Sequence, residues 1–196
     1  MDLSQRRTDL AEAVWRVVLR EGLEGASVRA VAVEAGLSMG SLRHYFATQS
    51  ELHRFAMRLV TARIRSRIEA LPALPDAWQQ AQQVLEELLP LDELRRSESE
   101  VWLAFSARAL VDPALRALRD EGWDLLREVC ALLVARLAPA GQDLERESAR
   151  LHALVDGLLV HGVLRPGRMD PVEVRRVLAR HLEDLAGPTT RTAHSD

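Results

Sequence analysis

The sequence predicts an all-α protein, on three observations. Leu, Ala, Val, Arg and Glu dominate, and only 4% of residues are aromatic, a mixture of good helix formers with little that strands favour. Apolar residues recur at intervals of three and four instead of alternating, which is the helical period. Short segments of Pro, Gly, Ser, Asp and Thr separate these stretches, and each reads as a helix cap or a turn.

Taken in order, Leu10, Val14, Val17 and Val18 form one stripe of a first helix over residues 3–21, and Gly22 supplies its stop, since helix ends often need a left-handed residue. Ser27 caps a short helix over 28–35, Gly36 ends it in a turn of positive φ, and Ser38 caps a second short helix reaching Tyr45. Thr48 with Glu51 is a capping box, opening a long helix to residue 70. Pro72 and Pro75 break the chain there. Helices follow over 76–90, 95–110, 113–138, 143–165 and 171–186; Asp112-Pro113 and Asp170-Pro171 each set a cap before a first-turn Pro. The total is nine helices and no strand. Residues 188–196 carry no apolar pattern and are expected to be disordered.

The net charge is −3, and all 26 basic residues are Arg. Residues 1–70 hold 11 Arg against 8 acids, giving +3, and the remainder holds 15 against 21, giving −6. Attraction to phosphate depends on a local face, so this balance permits a nucleic-acid partner. The single Cys130 excludes an intrachain disulfide and is expected as a buried small hydrophobe. No apolar run is long enough for a membrane span and no signal-peptide core is visible, so the protein is expected to be soluble and cytoplasmic. There is no nucleophile elbow and no phosphate-cradling glycine loop. His152 and Asp156 share a helix face, but His161 lies on the opposite side. Neither enzyme activity, nor a metal, nor a cofactor is therefore expected.

The informative stretch is Val28 to Phe46. Two short helices meet at a tight turn, with Ala32 at their closest crossing and Val31, Ala35, Leu37, Leu42 and Tyr45 expected to fill the core between them. This is a helix-turn-helix pattern, whose second helix enters the major groove. An ordinary helical hairpin is the plain alternative. Against it, the second helix exposes Met39, Gly40, Ser41, Arg43 and His44, a short polar face built for close approach. Arg43 suits guanine O6 and N7, Ser41 can donate to a base or phosphate, and Gly40 admits the sugar-phosphate backbone.

The run Ser27 to Leu52, and within it G-L-S-M-G-S-L-R-H-Y-F from Gly36 to Phe46, resembles the DNA-binding signature of the TetR family of bacterial repressors. The resemblance implies a homodimer bound to operator DNA, with a helix-turn-helix domain over 1–47 and a ligand-binding and dimerisation domain over 48–187. It implies that Ser27 and Arg29 contact phosphate or a neighbouring base. Met39, Gly40, Ser41, Arg43 and His44 would read the groove, Tyr45 and Thr48 would grip phosphate, and Ser38 would be a further DNA-contact residue. Many members carry a Lys just after the Tyr-Phe pair. Here Ala47-Thr48-Gln49 stands instead, which points to weaker or more salt-tolerant binding. Within the family, Ser41–Phe46, Trp102–Phe105 and Leu154–Leu158 resemble the subgroup named for the choline-responsive repressor of betaine synthesis.

For a small-molecule inducer, Trp78, Trp102, Phe105 and Trp123, with Phe55, Met57, His152 and Asp156, are candidate pocket residues. The concentration of Trp suggests a cage for a cation, with ordinary core packing as the alternative for each ring. Leu151, Leu154, Val155, Leu158, Leu159 and Val163, then Val174, Val177, Leu178, Leu182 and Leu185, form two apolar bands expected to pair across a dimer as a four-helix bundle. Gly157 and Gly162 would allow close approach. Burial inside one monomer is the alternative. The rival function is a protein-interaction module whose helix-turn-helix has lost DNA affinity.

Overall fold

The structure, a computed structural model, describes residues 3–187. Nine helices occupy the described residues: α1 (Leu3–Gly25), α2 (Val28–Glu34), α3 (Met39–Arg43), α4 (Gln49–Glu69), α5 (Ala77–Glu86), α6 (Glu93–Val111), α7 (Pro113–Leu137), α8 (Leu144–Leu164) and α9 (Pro171–Ala186). The expected disorder of 188–196 lies outside the described residues. Helix starts follow the caps. Ser27, Ser38, Thr48, Asp76, Asp92, Asp112, Asp143 and Asp170 each accept a backbone N–H from the first turn, satisfying a donor that the helix cannot. Gly22 stands at φ 70° inside the segment assigned to α1, so regular helix stops where glycine marks it and a turn runs on to Gly25. In the α4 capping box Glu51 reaches one residue further back than expected, accepting from Ala47 N at 2.7 Å.

Packing forms two cores. In the first, Val14, Val17 and Val18 of α1 meet Val31 and Ala32 of α2, Leu42 of α3 and Phe46, then Leu52, Ala56 and Val60 of α4 and Phe105 of α6. Residue 48 is therefore no gap in packing: the core of the N-terminal head runs on through α4 into α6. The second core gathers Leu85, Leu89, Cys130 and Val134 with the inner faces of α8 and α9. Cys130 is fully buried, and burial pushes its thiol up to about 12.

The two apolar bands expected to pair across a dimer lie in that second core, within one chain. Leu151, Val155, Val174, Leu178 and Leu182 have no exposed surface within one chain, Leu158 and Leu159 are buried, and Leu154 packs against the same cluster. An apolar stripe marks a face that leaves water, and here α7 and the α8–α9 contact already cover it. Gly162 likewise serves the monomer, since a Cβ there would meet Pro90 Cγ at 2.6 Å. Gly157 differs: a Cβ there would meet nothing. No helix among the described residues is long and apolar enough to cross a membrane.

One polar cluster crosses between elements. Arg67, near the end of α4, donates to Glu98 of α6 through both terminal nitrogens, at 2.9 and 2.6 Å, and through Nε to Glu87 at 2.8 Å. Glu98 is 3% exposed. Removing the arginine would strand a buried carboxylate, so Arg67→Met is expected to cost about 3 kcal/mol in urea unfolding. An unchanged midpoint would show that the pair carries no stability.

Candidate nucleic-acid interface and ligand cavity

The α2–α3 turn is built as its sequence requires. Gly36 adopts φ 63°, and Leu37 N closes the turn onto Ala32 O at 2.9 Å. Ala32 is buried at the crossing. Of the expected core residues, Val31 and Leu42 are fully buried, Ala35 is half-buried, and Leu37 and Tyr45 are exposed, at 39% and 41%. The correction follows from helix length: α3 ends at Arg43, and the chain then turns Phe46 inward and Tyr45 out.

The outer face carries Ser38, Met39, Gly40, Ser41, Arg43, His44, Tyr45 and Thr48, all exposed, flanked by exposed Arg29 and half-buried Ser27. The Ser38 and Ser41 hydroxyls bond each other at 2.9 Å. Ser27 and Thr48 accept backbone N–H groups as caps, which leaves each hydroxyl proton available as a donor. A Cβ on Gly40 would meet only Ser38 Oγ, at 3.8 Å. Nothing inside the chain requires glycine there, and in a helix it costs up to about 1 kcal/mol relative to Ala.

Charge on the head is sorted as well. Arg16 and Arg20 both grip Glu34, at 2.6 and 2.9 Å, and these hydrogen bonds, Arg16's first, hold its carboxyl below the ordinary range. Arg63 pairs with Glu12 at 2.7 Å and stacks on Trp15, 4.7 Å from the ring centre. Neither Arg29 nor Arg43 has an ion-pair partner among the described residues. Arg29 and Arg43 thus stand unpaired on the face that shows the glycine. Gln49, where the resembling repressors carry Lys, turns inward and donates to Ala26 O at 2.8 Å.

Behind the head lies a cavity of about 350 Å³ between α4, α6, α7 and α8, a volume suited to a small organic ligand. Met57, Val60 and Ile64 wall one side, Leu126 and Val129 another, and Trp102 stands across from Val155 and Asp156. Trp102 fits because residue 122 is glycine: a Cβ there would lie 2.6 Å from the indole. The cage expected from four aromatic residues does not assemble. Met57, Trp102 and Asp156 line the cavity, whereas Trp123 and His152 line an outer groove between α7 and α8. Phe105 is fully buried in the first core, and Trp78 and Phe55 pack against the cores.

Polar residues of the wall that the sequence reading missed are Thr61, Arg65, Glu69, Glu87, Arg95, Glu98 and Ser99. Their signal was weak, because charged residues on helices look like a solvated face. Arg67 and Arg95 neutralise Glu87 and Glu98, with Arg95 3.3 Å from Glu87. Asp156 has no arginine; its neighbour is His152 Nε2 at 3.5 Å. Burial, opposed by His152, raises its carboxyl above the ordinary range.

Comparison with known proteins places this architecture. Residues 77–187 match the family profile described as the C-terminal domain of BetI-type transcriptional repressors. The chain is 40% identical over 196 residues to the HTH-type transcriptional regulator PksA of Bacillus subtilis (strain 168), covering 97% of this chain and 95% of that protein. The chain belongs to the TetR family of transcriptional regulators. This TetR-family regulator also superposes on a transcriptional regulator from Rhodococcus sp. Rha1 with a TM-score of 0.80 at 31% identity, covering 91% of this chain and 94% of the other. It is similar to the multidrug binding protein EbrR complexed with ethidium, with a TM-score of 0.67 and 32% identity over 91% of this chain and 99% of that one.

The fit of Trp102 against Gly122 is directly testable. Gly122→Ala is expected to push the indole into the cavity and shift the protein's Trp emission while the helical circular dichroism stays unchanged. Identical emission spectra for both proteins would contradict the contact.

Proposed function

We propose that this TetR-family regulator is a ligand-responsive repressor that acts in the cytoplasm as a homodimer on a pseudo-palindromic operator. Gly40 carries the reading. A glycine in the first turn of α3 with open space before it, beside two unpaired arginines, is explained by an outside surface that comes very close. Arg43 and His44 with Met39 and Ser41 then face base edges, while Arg29, Ser27, Ser38, Tyr45 and Thr48 hold phosphates. Pairing two such heads multiplies specificity, and the stripe of exposed Ala149, Ala153 and Leu164 with half-buried Gly157 and Val160 on α8 supports a helix-to-helix dimer contact on its outer side.

The cavity supports a hydrophobic monocation as ligand. Its buried glutamates are paired with Arg67 and Arg95, Arg65 and Glu69 of the lining are exposed, and most of the rest is apolar. Asp156, which lines the cavity with Trp102, is the half-buried carboxylate without an arginine partner. Ethidium, held by the similar EbrR, has this chemistry. A cation at Asp156 would press on the α4 wall and tilt that helix, moving the two heads out of register. Full release requires the ligand to prefer the non-binding conformation by roughly 5 kcal/mol.

Fluorescence anisotropy on the duplex upstream of the chain's own gene, against a scrambled duplex, tests the DNA reading. The native duplex is expected to win at low and at high salt. Arg43→Ala is expected to cost about 1–3 kcal/mol and relax the sequence preference. Gly40→Ala is expected to melt no lower yet bind about tenfold weaker. Equal binding of both duplexes, or a Gly40→Ala protein with native affinity, would contradict it. For the ligand, calorimetric titration with tetraphenylphosphonium, a non-intercalating monocation, is expected to show binding about tenfold weaker in Asp156→Asn. Binding should also weaken as the pH falls through the raised Asp156 range, because the carboxyl then loses its charge. Equal affinity for wild type and variant would remove Asp156 from the site.

A further inference from the structure

The first turn of α4 carries two side chains that the DNA-contact pattern does not use, and both reach the turn joining α1 to α2. Beyond Gly22 the chain leaves the helix, and its carbonyl groups need donors from elsewhere. The Ala26 carbonyl accepts from Gln49 Nε2 at 2.8 Å. Since a carbonyl only accepts, the group facing it is the amide NH2. The same nitrogen lies 3.0 Å from Nε2 of His53, which is 2% exposed. A donor on that side makes His53 Nε2 the acceptor, so the imidazole is neutral and carries its proton on Nδ1. The Leu23 carbonyl faces the ring as an acceptor, which suits that tautomer.

The arrangement tolerates one protonation state. An imidazolium presents N–H groups on both nitrogens, so its Nε2 would meet the amide NH2 donor to donor, away from water. Flipping the amide would restore a bond to the ring only by turning Gln49 Oε1 onto the Ala26 carbonyl. The unflipped amide meets a charged donor and the flipped amide gives up Ala26, so neither orientation satisfies both partners of Gln49. We propose that Gln49 and His53 are positioning residues for DNA binding, which hold the α1–α2 turn in place, and that protonation of His53 releases it. Ser27 and Arg29 follow that turn directly, so its seating sets where α2 meets the DNA. The proposal rests on the DNA-binding reading of the head.

The charged groups facing His53 act in both directions. Glu24, at the end of α1, and Asp112, at the α6–α7 junction, favour the charged ring, and Arg108 of α6 opposes it. Burial is the largest influence and holds the imidazole below its ordinary value. The sign follows. Above the unfolded value of about 6.5 the full stabilisation is present. It is lost as the pH falls from there through the lower folded value.

Two measurements on the full chain test this. In 15N spectra near neutral pH, His53 is expected to show an unprotonated Nε2 and a protonated Nδ1. On acidification, amide exchange across Ser27–Ala30 should speed up together with His53 protonation. A protonated Nε2 at neutral pH, or exchange that ignores the titration, would overturn the staple without any variant. DNA affinity is then read on the duplex selected by the chain from a random pool, in a His44→Gln background so that the recognition-face histidine does not titrate. From about pH 7.5 to about pH 5 affinity should fall about tenfold. His53→Gln, which offers Gln49 an acceptor that does not titrate, should hold within about twofold over the same range. Parallel profiles for the two proteins would overturn the role. Selection of no preferred duplex would overturn the DNA-binding reading and this role with it, whereas a wrong tautomer with intact DNA binding would overturn the staple alone.

Discussion

Helix α4 is tied down at both ends, and what the molecule does depends on that constraint. At its start, Ser50 Oγ donates to Asp112 Oδ2 at 2.5 Å. Asp112 caps the end of α6 and the beginning of α7 at once, and the Ser50 bond holds its carboxyl below the ordinary range. At the other end, Arg67 is clasped by Glu98 and Glu87. Between the ties, Leu52 and Ala56 enter the head core while Met57, Val60 and Ile64 wall the cavity. Over the 17 residues from Ser50 to Arg67 the helix is about 25 Å of stiff rod, so a displacement at the cavity wall is a displacement at the seat of the head.

The placement of charge fits the same division of labour. Arginines on α1 and α4 are consumed by Glu34, Glu12, Glu87 and Glu98, which brace one helix against another. The exposed ion pairs add little stability, because water screens them. Their effect is on geometry, and Arg29 and Arg43 on the outer face and Asp156 in the cavity stand outside those arginine–carboxylate pairs. Buried ions hold Arg67 in one register. A ligand that competed for any of them would therefore act on α4 without touching the head.

Much of this was legible in the sequence, for identifiable reasons. Caps, first-turn prolines and left-handed glycines act locally, so Ser27, Ser38, Thr48, Pro113, Pro171, Gly22 and Gly36 announced their elements correctly. What depends on a distant partner was less visible. Leu151 and Leu178 are apolar whether they face a neighbouring helix or another subunit, and periodicity does not separate the two. Tyr45 and Phe46 are adjacent aromatics, and only the point where α3 ends decides which turns inward. Trp78, Trp102 and Trp123 share a residue type but stand on different faces of different helices. Gln49 and His53 were invisible as a pair with a purpose because their targets are backbone carbonyls more than twenty residues back. Glu98 looked like surface because its arginine comes from another helix.

The central claim is that a ligand in the cavity moves the heads through α4, and the separation of the two heads in the proposed homodimer measures it most directly. Spin labels at Val33→Cys, on the 78% exposed outer side of α2, in a Cys130→Ala background would report that distance by pulsed electron resonance. With saturating tetraphenylphosphonium the expected result is a shift of the whole distance distribution, and no shift when Asp156→Asn removes the cation's anchor. A distribution that stays in place while the ligand binds and DNA is released would contradict the account.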